Sequence, residues 1–355
     1  MGLITTGPAG AGPDAVGAVL AVDAGNSKTD VAVVAADGTV LGSARGGGFQ
    51  PPAVGVDAAV DALATTAGRA LDDAAAAHGG GRPAVAVVSA CLANADLPVE
   101  EDELARAVEE RALGADVEVR NDTFAILRAG VDEPLGVAVV CGAGINCVGL
   151  TPDGRTARFP AVGRISGDWG GGGGLAEEAL WFAARAEDGR GEPTALARTL
   201  PGHFGLPSMY ALIEALHRGR IAPARRHELA PVLFETAAGG DAVARSLIDR
   251  LADEVVALST VALDRLGLLA APVPVLLGGS VLAAGHRDLD SRIRELLAVR
   301  APKAVAHVIT ARPVLGAALF GLDRIGAPAA AHARVRAHYG RDGGAGVPTA
   351  ASSGE

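Results

Sequence analysis

Two short turns carry the residue types that hold phosphate. In Asp23-Ala24-Gly25-Asn26-Ser27-Lys28-Thr29 a glycine turn separates two apolar runs. Successive backbone N–H groups in such a turn form an anion nest. Gly25, Asn26, Ser27, Lys28 and Thr29 would line it, and Asp23, ending the first run, is placed to hold Mg²⁺ through water. A plain hairpin with a surface lysine has the same spacing. The second turn is Cys141-Gly142-Ala143-Gly144-Ile145-Asn146. A dinucleotide fingerprint fails there, because Cys147 stands where a third glycine is needed and the turn leads into a strand. Two such nests would clamp a polyphosphate from both sides, with Gly142, Ala143, Gly144 and Asn146 in the second.

Other residues suit the remaining chemistry. Leu277-Gly278-Gly279-Ser280 follows an apolar run, and glycine there lets a flat ring such as adenine approach the backbone. An ordinary strand-to-helix turn reads the same way. Asn121-Asp122-Thr123 ends a strand. A carboxylate in that place accepts a hydroxyl proton and aims the oxygen at phosphorus, so Asp122 is the candidate base. Either Asn121 or Asp122 would equally cap the next helix. Asp96 is a second candidate carboxylate at a strand end. Arg164-Ile165-Ser166-Gly167-Asp168-Trp169 runs into five glycines, Gly170–Gly174. They suit a flexible hinge, an anion-binding helix start or a floppy insertion.

The elements that must position these residues are legible as periods. Strands are expected at Ala18–Asp23, Thr29–Ala35 and Thr39–Arg45, with Asp37-Gly38 as a hairpin turn and a break at Gly46-Gly47-Gly48. A helix over Val54–His78, a central strand Ala84–Cys91, a helix over Glu100–Leu113 and a strand Asp116–Arg120 follow. The order then repeats with strands Val137–Cys141, Ile145–Leu150 and Arg155–Pro160, a helical insert over about 175–266, a strand Val273–Leu277, a helix Arg287–Arg300, a strand Ala304–Thr310 and a helix Pro313–Ile325. The repeated βββαβαβ order predicts an α/β protein of two related halves with an interdomain cleft, where ligands usually bind. The expected division is a disordered tail over 1–17, one half over 18–122, a second over 123–326 and a disordered tail over 327–355.

Together these residues resemble the actin/Hsp70/sugar-kinase superfamily, in its N-acetylglucosamine kinase branch, grouped with the BadF/BadG/BcrA/BcrD ATPases. The resemblance spans about Val19 to Ile325. Asp23–Thr29 is similar to the family's DGGGTKT-like loop, Gly142–Asn146 to its GTGS-N hairpin, and Gly278-Gly279-Ser280 to its adenosine motif. It implies two RNase H-like (actin-like ATPase) halves, ATP and Mg²⁺ as cofactors and Asp122 as base. It also implies substrate contacts from Gln50, Asp96, Asn121, Arg164 and Asp168. This sequence departs from the pattern at Ala143 for Thr, at Trp169 within GDEGS, at Val162 for the sugar-site Trp, and at Phe49 or Gln50 for an Asn. The implied activity is an ATP-dependent carbohydrate kinase acting on an amino sugar such as N-acetylglucosamine or a related sugar. Alternatives are a cyclitol or other polyol kinase, an ATPase activator holding an iron–sulfur cluster through cysteines, and a nucleotide-gated binding protein. The expected partner is a small sugar or polyol, and a homodimer is one candidate assembly.

Composition narrows the classes. The 355 residues include 49 Gly, about twice the usual ~7% share. Net charge is −10 and aromatics make up 3%, with no basic run to track a nucleic-acid backbone. Three cysteines, Cys91, Cys141 and Cys147, form no disulfide framework, which fits a reducing cytoplasm. The residues 1–17 lack the pattern of a secretory signal. The uncharged run Leu266–Gly285 is broken by Pro272, Pro274 and Gly278-Gly279, so a strand and turn are expected rather than a membrane helix.

Overall fold

The computed structural model describes residues 17–340. The chain opens with β1 (Ala18–Ala24), buried along its whole length, as a strand covered on both faces must be. It turns back antiparallel as β2 (Lys28–Val34), which pairs antiparallel with β3 (Val40–Gly47). Next come α1 (Pro51–Val54), α2 (Val56–His78), β4 (Val85–Leu92) parallel to β1, α3 (Pro98–Glu110), β5 (Asp116–Asn121) parallel to β4, and α4 (Asp122–Gly130). A second meander follows as β6 (Gly136–Cys141), β7 (Ile145–Leu150) and β8 (Thr156–Arg158). The helical stretch is α5 (Gly171–Glu187), α6 (Leu196–His203), α7 (Met209–His217), α8 (Leu229–Ala238) and α9 (Ala242–Arg265). The chain closes with β9 (Pro274–Gly278), α10 (Gly279–Leu282), α11 (Arg287–Arg300), β10 (Val305–Val308), α12 (Pro313–Arg324) and α13 (Ala329–Gly340).

The strands form two mixed five-stranded sheets, ordered β3-β2-β1-β4-β5 and β10-β9-β6-β7-β8. Numbered within its own half, each sheet reads 3-2-1-4-5. The sequence repeat is thus a repeat of topology. Two compact units result, one joining the chain through Ala125 with the segment that begins at Arg312, the other spanning Ile126–Ala311. In the first unit alternate β1 residues face opposite layers. Leu20 and Val22 share a cluster with Val60, Leu63 and Ala67 of α2. On the other face α12 lies so close that a Cβ at Gly321 would meet Val19 Cγ1 at 2.1 Å. In the second unit α9 packs on β6, β7 and β8, and α11 packs on α9 and β10.

Several expectations need correction. The second half is expected over 123–326, yet α12 belongs to the first unit, because its apolar face completes the cover of β1 and β4. A disordered tail from 327 is replaced, over 329–340, by α13, which buries Ala331, Val335 and Tyr339 and ties Arg334 to Asp37. The expected tails over 1–16 and 341–355 lie outside the described residues. Gly46 and Gly47 continue β3 instead of breaking it, and α2 passes close enough that a Cβ at Gly46 would strike Thr66 Oγ1 at 2.3 Å. Among the described residues no helix is long and apolar enough to cross a membrane.

Candidate active site

In the first unit the candidate residues gather around the β1–β2 hairpin. Gly25 N donates to Lys28 O at 2.9 Å, closing a turn that leaves Asn26, Ser27 and Lys28 exposed. Neighbouring loops hold the turn in place. Gln50 Nε2 donates to Asn26 O at 2.8 Å, Phe49 N to Gly25 O at 2.9 Å, and Asn94 Nδ2 to both Asn26 Oδ1 and Phe49 O. Asn94 has φ +63°, a conformation asparagine tolerates better than most residues. Thr29, assigned to phosphate from sequence, is buried, and its hydroxyl donates to Gly47 O at 2.9 Å. It ties β2 to β3.

Two carboxylates lie beneath this turn. Asp23 is buried at the end of β1, and Asp122 is half-buried at the first position of α4. Burial pushes Asp23 up to about 8, with repulsion from Asp122 and Asp30 adding to the rise and Lys28 and Arg312 opposing it. Burial pushes Asp122 up to about 6, partly offset by backbone N–H groups of Thr123 and Asp122 itself. A pair of buried acids with so little compensation is a place for a cation or a proton. Beside it, Asn121 donates through Nδ2 to Asp96 Oδ1 at 2.8 Å and accepts from Thr123 N at 3.0 Å, so it caps α4 while holding Asp96. Glu100 Oε2 accepts from Asp96 N and Leu97 N, and Glu101 Oε1 from Asn121 N, which fixes that loop.

The second unit presents the β6–β7 hairpin, closed by Gly142 N to Gly144 O at 2.9 Å. The glycine run is neither a loose hinge nor an open anion site. It starts α5, and its amides face the hairpin: Gly172 N donates to Gly142 O at 2.7 Å, Gly173 N to Ala143 O at 3.0 Å, and Gly171 N to the Cys141 sulfur. These bonds satisfy helix-end donors that would otherwise lack partners. Gly171 sits at φ +71°, and a Cβ there would lie 2.5 Å from Ala143 O, so only glycine fits. Gly279, at φ +83°, similarly rests on the Cys141 backbone, where a Cβ would find carbonyl atoms at 2.5 Å. Asn146 Oδ1 accepts from Cys147 N at 2.7 Å.

The tip of this hairpin stands between two cavities. One, of about 310 Å³, is lined by Gly142, Ala143, Ser280, His227 and His286. The other, of about 230 Å³, is lined by Ala143, Gly144, Arg164, Asp168, Trp169 and Glu177. Asp168 accepts from Ser166 Oγ at 2.7 Å and Gly163 N at 2.9 Å, holding the 3-10 turn Gly163–Ser166. Arg164 pairs with Glu178. The Trp169 indole nitrogen is buried without a hydrogen-bond partner, and the Arg250 guanidinium lies 4.2 Å over its ring.

Three groups escaped the sequence reading. Asp30 is buried and bound to Arg45 at 2.6 and 3.0 Å, and its alternation with Lys28 along β2 was the available signal. His227 and His286 come from segments far in sequence from either glycine turn, and no local pattern marks them. The three cysteines are buried, and burial pushes all of them up, Cys141 to about 12, which disfavours the thiolates that an iron–sulfur cluster needs.

Comparison with known proteins adds a family. An N-acetylmuramic acid/N-acetylglucosamine kinase of Clostridium acetobutylicum is 29% identical over 167 residues, which cover 46% of this chain and 55% of that protein. The chain thus spans little more than half the length of that relative. An N-acetyl-D-glucosamine kinase of Dictyostelium discoideum is 26% identical over 246 residues, 67% of this chain and 76% of that protein. A solved structure from Chromobacterium violaceum, provisionally named an N-acetylglucosamine kinase, shares the fold with a TM-score of 0.63 at 24% identity, covering 86% of this chain and 99% of that one. Residues 20–321 match the model of one family across both sheets, and the chain therefore belongs to the BadF/BadG/BcrA/BcrD ATPase family.

Proposed function

We propose that the protein is an ATP-dependent carbohydrate kinase, built on two RNase H-like, actin-like halves, that transfers the γ-phosphate to a hydroxyl of an amino sugar such as N-acetylglucosamine. The reading is carried by Asp122, a half-buried carboxylate at about 6. A base at that value is ionised at neutral pH yet basic enough to receive a hydroxyl proton. Asp122 orients the acceptor oxygen and takes its proton as the bond to phosphorus forms. The hairpin residues Gly25, Asn26, Ser27 and Lys28 and the second hairpin Gly142–Asn146 bind phosphate oxygens, and Gly278, Gly279 and Ser280 border the nucleoside. Acceptor contacts are assigned to Gln50, Asp96 and Asn121 and to Arg164 and Asp168. Asp96 and Asn121 are bonded to each other, which fixes the orientation of both before a ligand arrives.

A divalent cation fits the donor set. Asp23 is buried beside Asp122, and their mutual repulsion is the deficit that a positive ion relieves. Asp23 would hold Mg²⁺ through water, and the ion would neutralise phosphate charge when bound. ATP use agrees with the family's designation as ATPases, and Ala143 leaves only backbone groups to serve the nest at that position. The experiment is ADP release with Mg·ATP across hexoses, amino sugars, N-acetyl sugars and cyclitols. Stimulation by an amino sugar is expected, and steady hydrolysis unaffected by every acceptor would overturn the proposal.

A further inference from the structure

The cavity beside the β6–β7 hairpin has an unusual charge. Its lining includes the hairpin glycine, Ser280 and Phe234, but no lysine, arginine or carboxylate. A nucleotide tail with three or four negative charges would meet only two ionisable side chains there, His227 and His286. The two differ in how they are held. His227 is exposed on the 3-10 stretch Pro223–Glu228. His286 is stacked on Phe234 with ring centroids 3.8 Å apart and planes within 6°, and the stacked pair also borders a second cavity of about 510 Å³. The imidazole is therefore fixed where two cavities meet.

We propose that His286 is a switchable cation of the nucleotide site, taking up a proton as a polyphosphate enters the smaller cavity. The inference rests on reading the β6–β7 hairpin as a phosphate nest. Burial lowers His286 from its ordinary value, so the ring is mainly neutral near pH 7 in the empty cavity. The charged groups around it nearly balance. Asp290 on α11 opposes the lowering, and its buried Oδ1 has no hydrogen-bond partner among the described residues. Arg287 and Asp288 on α11 and Arg245 and Asp249 on α9 line the larger cavity with the ring. Helix α8 contributes Phe234, Ala237 and Ala238, which carry no charge. A phosphate in the smaller cavity breaks this balance and favours the imidazolium. Binding then draws a proton from solvent, and by linkage nucleotide affinity falls as pH rises from the free-state value of the ring to its bound-state value, and levels off above that. A fixed lysine or arginine would bind at every pH. A neutral, stacked histidine instead lets the empty cavity avoid an uncompensated charge.

The test is calorimetric titration of the full chain with Mg·ADP in two buffers of different ionisation heat, from about pH 6 to 9. The wild type is expected to take up a sizeable part of one proton per ADP near pH 7, fading toward both ends of the range. His286→Phe keeps a ring to stack on Phe234 but cannot titrate, and it should lose this uptake and bind ADP several-fold more weakly. His227→Gln should keep the uptake. Equal uptake by His286→Phe and the wild type would overturn the proposal, as would loss in His227→Gln alone. ADP binding without proton uptake defeats this inference and leaves the phosphate nest standing, whereas absence of ADP binding defeats both. If His286→Phe does not fold, NMR titration of the wild-type imidazoles with and without ADP decides. The expected result is an upward move of roughly one pH unit for a single ring, and none moving refutes it.

Discussion

Replacing Asp122 by Asn should make the protein more stable and nearly inactive. Asp122 stands at about 6, against 3.8 for a free side chain. The difference is about 2 pH units, and each unit corresponds to about 1.4 kcal/mol, so folding with Asp122 ionised costs about 3 kcal/mol at pH 7. The folded state holds the proton more tightly than the unfolded chain does. Wild-type stability from this group is therefore fully present below about pH 4, is lost as pH rises to about 6, and stays low above that. Asn keeps an oxygen for the Thr123 N–H and has no charge to bury. Asp122→Asn should thus melt about 6–12 °C above the wild type at pH 7, at roughly 2–4 °C per kcal/mol, with the gap closing near pH 4. Phosphoryl transfer should fall by about 10²–10⁴-fold in the same variant. Thermal scans from pH 4 to 8, without nucleotide or metal, read the first effect, and ADP release reads the second. A variant that melts at or below the wild type at pH 7, or a gap that persists at pH 4, would refute the reasoning.

Other substitutions test other parts. Gly171→Ala puts a Cβ 2.5 Å from Ala143 O at φ +71° and should cost about 3 kcal/mol and raise KM for ATP, whereas at Gly174 a Cβ meets nothing within 4 Å, so Gly174→Ala should leave the melting temperature unchanged or slightly higher. Asn94→Ala removes the two bonds that hold Asn26 and Phe49 and should cost about 1–3 kcal/mol in chemical denaturation, with a higher KM for the acceptor. The rate should drop about tenfold between pH 7 and pH 5 as Asp122 becomes protonated, read from kcat/KM at saturating Mg²⁺. Chelation by EDTA should abolish transfer, and added Mg²⁺ should restore it.

Much of the architecture was legible because the signals are local. β1 and β4 are apolar along nearly their whole length, as two-sided burial demands, and Arg287–Arg300 was delimited by its helical period alone. Asp37-Gly38 turns where that dipeptide does, with the glycine at positive φ. What escaped depends on distant partners. The meaning of Gly170–Gly174 lies in carbonyls of residues 142 and 143, nearly thirty positions earlier. α13 has no apolar stripe clear enough to announce it, and it is held by Asp37 and Asp323 through Arg334 and His332. In the candidate site the two hairpin turns could be found from their glycines, but the bonding of Asn121 to Asp96 and the stacking of His286 on Phe234 are products of the fold.

The cover of β1 sets an order of assembly during synthesis. The sheet of the first unit is complete once β5 emerges at Asn121, but α12, which closes one face of it, begins at Pro313. Roughly 190 residues must be translated in between, which takes roughly ten to forty seconds at ribosomal speed. Among the described residues the second unit is the single stretch Ile126–Ala311, all of it made before α12 begins. A nascent chain therefore carries an unsealed apolar face through most of its elongation while the later-made unit can mature first. A fragment ending near Ala125 should recruit chaperones or aggregate, whereas one spanning Ile126–Ala311 should fold by itself.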